Sequence, residues 1–190
     1  ALEPRCLLDG TGLVDAALVL GTSPVVDDGG LVVAAAPVIE AEAAAVVSPY
    51  ALDQTFLLHS NPGATKVIYL DFDGNTTSGT IWNTTYTGGA DIVTPAYSFE
   101  GDSTFSDNEL SRIQYIWQRV VEDYLPFNVD VTTEDPGVEA LRKTSPSDTA
   151  YGIRVCIGGD WGWYGTAAGG VSYISSFNWN TDTPNFVFSV

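Results

Sequence analysis

The 190-residue chain has one histidine, two cysteines and only seven lysines and arginines. His59 has no second imidazole with which to share a metal or an acid–base role, so it reads as a surface residue beside the turn Ser60-Asn61-Pro62-Gly63. Cys6 and Cys156 cannot make a disulfide framework; one falls in a tail and the other in a strand, and two unrelated thiols are expected. The few basic residues stand against 24 acidic ones, for a formal charge of −17. Such a surface repels nucleic acid and anionic membranes and suits an extracellular or cation-rich medium. Long apolar runs are missing too. Residues 31–47 are mostly Ala and Val, but Pro37, Glu40 and Glu42 break the run, short of the roughly 20 apolar residues of a membrane span. Aromatics are scarce at first, and only Tyr50 precedes Phe56. Residues 1–55 therefore read as a low-complexity tail or linker, and residues 56–190 as the domain.

The best-defined stretch is 106–133. From Leu110 the apolar positions Ile113, Ile116, Trp117, Val120, Val121, Tyr124 and Leu125 recur at three and four, the spacing of a helix with one buried stripe. Ser106 with Glu109 forms a capping box at its start, and Pro126 ends it. The period then drops to two. Phe127, Val129 and Val131 are expected on one face of a strand, with Asn128, Asp130 and Thr132 on the other.

Upstream, the nearly continuous apolar run from Lys66 to Phe72 predicts a central strand covered on both faces. Asp73-Gly74-Asn75 is a turn, and 76–94 an extended connection or hairpin. Downstream come a short helix at 138–143, a strand at 153–157, a loop at 158–170 holding six glycines, a strand at 171–177 and another from Asn185. The predicted architecture is α/β (α+β by some schemes), a mixed, mostly parallel sheet of about five strands with one long helix on a face. The chain opens without Met and closes in the apolar run Phe186-Val187-Phe188-Ser189-Val190, and a piece of a longer protein is expected.

Two stretches could carry chemistry by themselves. Trp161, Trp163, Tyr164 and Tyr173, among glycines, could line a binding cleft or simply cover the sheet end, and both readings stand. Asp71-Phe72-Asp73-Gly74 after an apolar strand resembles the opening motif of haloacid-dehalogenase-type phosphotransferases. That resemblance implies Asp71 as nucleophile, Asp73 as acid/base and Mg²⁺ beside them. Asn75 departs from the usual residue, and two solvated turn carboxylates or a structural cation site are the simpler alternative.

Two further resemblances cover more. Leu2-Glu3-Pro4-Arg5-Cys6-Leu7-Leu8 resembles the LEPR-XLL segment of large exported bacterial surface proteins; Pro4-Arg5-Cys6 is similar to the metalloproteinase cysteine switch, from which Leu7-Leu8-Asp9 departs. From Phe56 onward, the segments 58–64, 68–74 (Ile-Tyr-Leu-Asp-Phe-Asp-Gly), 116–124, 126–133 and 169–173 (Gly-Gly-Val-Ser-Tyr) resemble, in order, bacterial secreted zinc metallopeptidases of the metzincin (reprolysin-like) type. The resemblance implies the upper subdomain of such a fold. Its fourth strand is an antiparallel edge whose backbone at Gly170, Val171, Ser172 and Tyr173 docks a peptide substrate, and its fifth leads to a helix bearing H-E-x-x-H-x-x-G-x-x-H. That motif is absent here, so zinc ligands are expected outside this chain, no catalytic residue within it, and structural calcium is allowed. The implied parent is a secreted or cell-surface zinc endopeptidase, of which this segment alone would be inactive; a non-catalytic surface module is the other alternative. The uncovered sheet should also expose an apolar patch.

Overall fold

The computed structural model describes residues 48–101 and 104–189. The chain divides into two units, Ala1–Ala44 and Ala45–Val190, and the described residues belong to the second. The LEPR-XLL-like segment and the Ala/Val-rich run lie outside them.

The sheet is mostly parallel. Its strands are β1 (Lys66–Asp71), β4 (Asp130–Thr132), β5 (Tyr151–Ile157), β6 (Gly170–Val171) and β7 (Asn185–Val187), in the spatial order β4-β1-β5-β7-β6. All neighbours run parallel except β6, which is antiparallel to β7 and lies at the edge. The expected mixed α/β architecture is observed. The long helix α2 is Asp107–Tyr124, with Ser106 and Glu109 closing the predicted capping box. Side-chain alternation along β1 and β5 gives the sheet two faces. On one, Ile68, Leu70, Ile153 and Val131 meet Ile113 and Trp117 of α2 in the main core. On the other, Cys156 and Phe186 pack with Trp82 and Ile92 under Trp163, Tyr164 and Tyr173.

Three local expectations need correction, and one gains detail. Phe127 is 63% exposed, because its N–H donates to the Tyr124 carbonyl in a turn that delays the strand until Asp130. Asp130 and Thr132, expected on the face opposite Val129 and Val131, are buried like them, since residues 58–60 lie antiparallel along the outer edge of β4. The connection 76–94 is no simple hairpin. Strands β2 (Asn75–Thr77) and β3 (Ile92–Thr94) pair antiparallel, but a capped helix, α1 (Ile81–Tyr86), sits between them. Buried Asn83 holds that unit together, donating to the carbonyls of Thr77 and Ala90. The strand predicted over 171–177 shrinks to Gly170–Val171, because Ser175 adopts a left-handed conformation (φ 68°) that ends extended backbone before a 3₁₀ turn at Ser176–Asn178.

Packing also begins before Phe56. Tyr50 sits edge-on to Trp117 at 5.6 Å, and buried Gln114 of α2 accepts from the Tyr50 N–H and donates to Thr55 Oγ1. The short helix α3 (Val138–Leu141) and strands β1, β5 and β7 fall where the periodicity put them.

Candidate functional site

The two edges of the sheet are finished differently. At β4 the Ser60 N–H donates to the Val131 carbonyl at 3.1 Å and the Thr133 N–H to the Leu58 carbonyl at 3.0 Å, so that edge is closed. At the other end, among the described residues, β6 pairs only with β7, Gly170 opposite Val187 and Val171 opposite Phe186. The Phe188 N–H donates to the Gly169 carbonyl at 2.9 Å. Antiparallel partners alternate between exchanging hydrogen bonds and not. Gly169 and Val171 therefore face β7, while the N–H and C=O of Gly170 face outward. Gly170 is exposed, and a Cβ there would come within 2.6 Å of the Phe186 carbonyl oxygen, so the close approach to β7 holds this position to glycine.

The four residues predicted to dock a peptide are not equivalent. Gly170 and Val171 form the strand, and Ser172 lies exposed just beyond it. Tyr173 turns into the aromatic cluster, its ring 4.2 Å from that of Trp82. Trp163 and Tyr164 of the Gly-rich loop are half-buried against Trp82, Tyr86 and Phe186, so the loop covers the sheet; only Trp161, 40% exposed, stands clear.

Asp71 is in a different environment from the solvated turn considered for it. It is 1% exposed, and its Oδ2 accepts from Arg154 Nη1 at 2.7 Å. Arg154 reaches up from β5, stacks its guanidinium 5.0 Å above the Tyr69 ring and donates through Nε to Asp182 at 3.0 Å. Burial raises the Asp71 pKa to about 7, against the opposing pull of Arg154. Burial also works against the Arg154 charge, but Asp182 and Asp71 more than restore it. Buried, and with Oδ2 held by the guanidinium, Asp71 is poorly placed to attack phosphorus. Asp73 is exposed. The sequence reading assigned no role to Arg154 or Asp182. The available signal was a charged residue between Ile153 and Val155 in an otherwise apolar strand.

His59 does have partners. Its Nδ1 lies 2.6 Å from Asp130 Oδ2 and its Nε2 2.8 Å from Glu134 Oε2. Partial burial opposes its charge, yet the hydrogen bonds to Glu134 and Asp130 leave its pKa raised. Asp130 also accepts from the N–H groups of Ser60 and Asn61, both at 2.9 Å. The histidine thus clamps the segment that closes the β4 edge. Cys156 is buried and unpaired, and desolvation raises its thiol pKa. Among the described residues no group of three or more His, Cys, Asp or Glu could hold a metal ion. With both His59 nitrogens engaged, these residues do not fit zinc. Among them also, no helix is long and apolar enough to cross a membrane.

A groove of about 540 Å³ lies on the α2 side of the sheet, floored by Ile68, Ile153 and Val155 and walled by Tyr124, Phe127 and Phe177. Exposed Leu125 adjoins it in sequence. No family model matches the chain, and neither the curated proteins nor the solved structures contain a match.

Proposed function

We propose that this chain supplies the substrate-docking half of an exported zinc-dependent endopeptidase, with β6 as the strand along which an extended peptide is laid. The observation that carries this reading is the antiparallel edge at Gly170, free among the described residues, beside a mostly parallel sheet whose other edge is closed. A free edge offers unpaired backbone groups to a peptide by strand addition. The position of β6, fourth strand of the sheet in chain order and antiparallel at the edge, is the one the metzincin resemblance implies for substrate. The apolar groove beside α2 gives a further element, such as the helix that follows the fifth strand in that family, a place to pack. Hydrolysis is assigned to no residue of this chain, and zinc would be held elsewhere in the parent.

Strand addition is tested with the chain itself. A labelled, extended peptide is titrated by fluorescence anisotropy against the same peptide N-methylated at alternate amides, in both phases. Docking on β6 requires that one methylated phase lose binding and the other keep it. Equal binding of both phases would remove the edge from consideration. The parentage is tested by reading the coding sequence beyond Val190 for H-E-x-x-H-x-x-G-x-x-H on an apolar-periodic helix; an open frame without paired histidines would instead favour the non-catalytic surface module.

A further inference from the structure

Given β6 as a docking edge, the geometry around it also indicates which peptides it accepts. Val187 of β7 has a strand on each side, yet it is 41% exposed. Its register explains this. It stands opposite Ile157 of β5 on one side and Gly170 of β6 on the other, and Gly170 brings no side chain to cover it. The backbone contact with Phe186 keeps that position glycine, so the gap over Val187 is a permanent feature of the edge. Side chains of paired residues point to the same face of a sheet. A peptide residue opposite Gly170 would therefore direct its side chain to the α2 side, over the gap.

Adjacent strands lie about 4.8 Å apart, so that residue's backbone would sit about 10 Å from Val187. A methyl group cannot cross the distance. A leucine, phenylalanine or tyrosine side chain can lie across the glycine and reach the valine, as large side chains do when they cover edge glycines in sheets. The neighbouring peptide residues would point to the opposite face, towards half-buried Val171 and the aromatic cluster.

We propose that β6 selects extended peptides with a large apolar or aromatic side chain opposite Gly170, seated over the glycine on Val187. The test uses the whole chain and acetylated, amidated peptides Lys-Thr-X-Thr-Thr-Lys, with X Ala, Leu or Phe, titrated by fluorescence anisotropy. Leu and Phe peptides should bind about tenfold more tightly than the Ala peptide, the return on roughly 60 Å² of additional apolar burial. In Val187→Ser the Phe-to-Ala ratio should fall to about twofold or less, as the apolar seat is lost. In Val187→Leu it should hold or rise. Equal affinities for Ala and Phe on the unaltered protein would overturn the selectivity while leaving edge docking in place. A preference that survives Val187→Ser would overturn the seat. No binding of any peptide would overturn the docking reading and this inference together.

Discussion

Replacing Arg154 with methionine probes a buried cation held between two carboxyl groups. Arg154 is 7% exposed, 2.7 Å from Asp71 and 3.0 Å from Asp182. Unit charges roughly 4 Å apart attract by about 4 kcal/mol at an effective dielectric near 20. Much of that offsets the several kcal/mol each ion gives up with its hydration, which is why cutting one partner costs about 3–5 kcal/mol although the pair adds little net stability. Asp71 can limit the damage by staying protonated. A carboxyl whose folded pKa is raised keeps a proton the unfolded chain has released, so its ionisation weakens the fold as pH rises from 3.8 through about 7. Without Arg154 that value rises further. Below about pH 7 Asp71 is mostly protonated in the unaltered protein; the variant, lacking the guanidinium, should keep that proton too, and the deficit should stay near 2 kcal/mol from the unpaired Asp182 and the lost hydrogen bonds. Above it the deficit should grow by about 1.4 kcal/mol per pH unit. Urea unfolding followed by tryptophan fluorescence at about pH 5 and about pH 8 measures both limbs. Adding Asp71→Asn should remove the alkaline growth. A deficit below about 1 kcal/mol at both pH values, or one identical at both, would refute the reasoning.

Glu109 and Gly152 give two further outcomes. The Glu109 carboxylate is fully buried, accepts from the N–H groups of Phe99 and Ser106, and has its pKa lowered to about 2, first by the Ser98 hydrogen bond and then by the Ser106 N–H. Its contribution should be complete above pH 4.5 and disappear as pH falls through about 2. Glu109→Gln should accordingly cost about 2 kcal/mol near neutral pH in urea unfolding, with the gap from the unaltered protein closing on acidification. In β5, Gly152 pairs with Val67, and a Cβ there would strike the Val67 carbonyl oxygen. Since two bonded strands cannot move apart cheaply, Gly152→Ala should cost about 3 kcal/mol or more by the same assay, a large effect for one methyl group.

What the sequence determined by itself is local. The capped helix, the proline that ends it, the central apolar strand and the order of elements follow from residues near one another in the chain, through periodicity, capping and backbone sterics, and the structure has them in those places. The edge at Gly170 was legible only through a resemblance between segments, since a strand of two residues, one exposed and one half-buried, leaves almost no periodic signal. What only tertiary structure decided is pairing at long range. Arg154 reads as an anomaly in an apolar strand until β1 brings Asp71 beside it and the loop before β7 brings Asp182. His59 is at the surface, as its sequence context suggests, but only the fold of its segment along β4 brings Asp130 and Glu134 to its ring. Buried charges and edge contacts depend on partners tens of residues away, and a local pattern carries the demand for a partner without naming it.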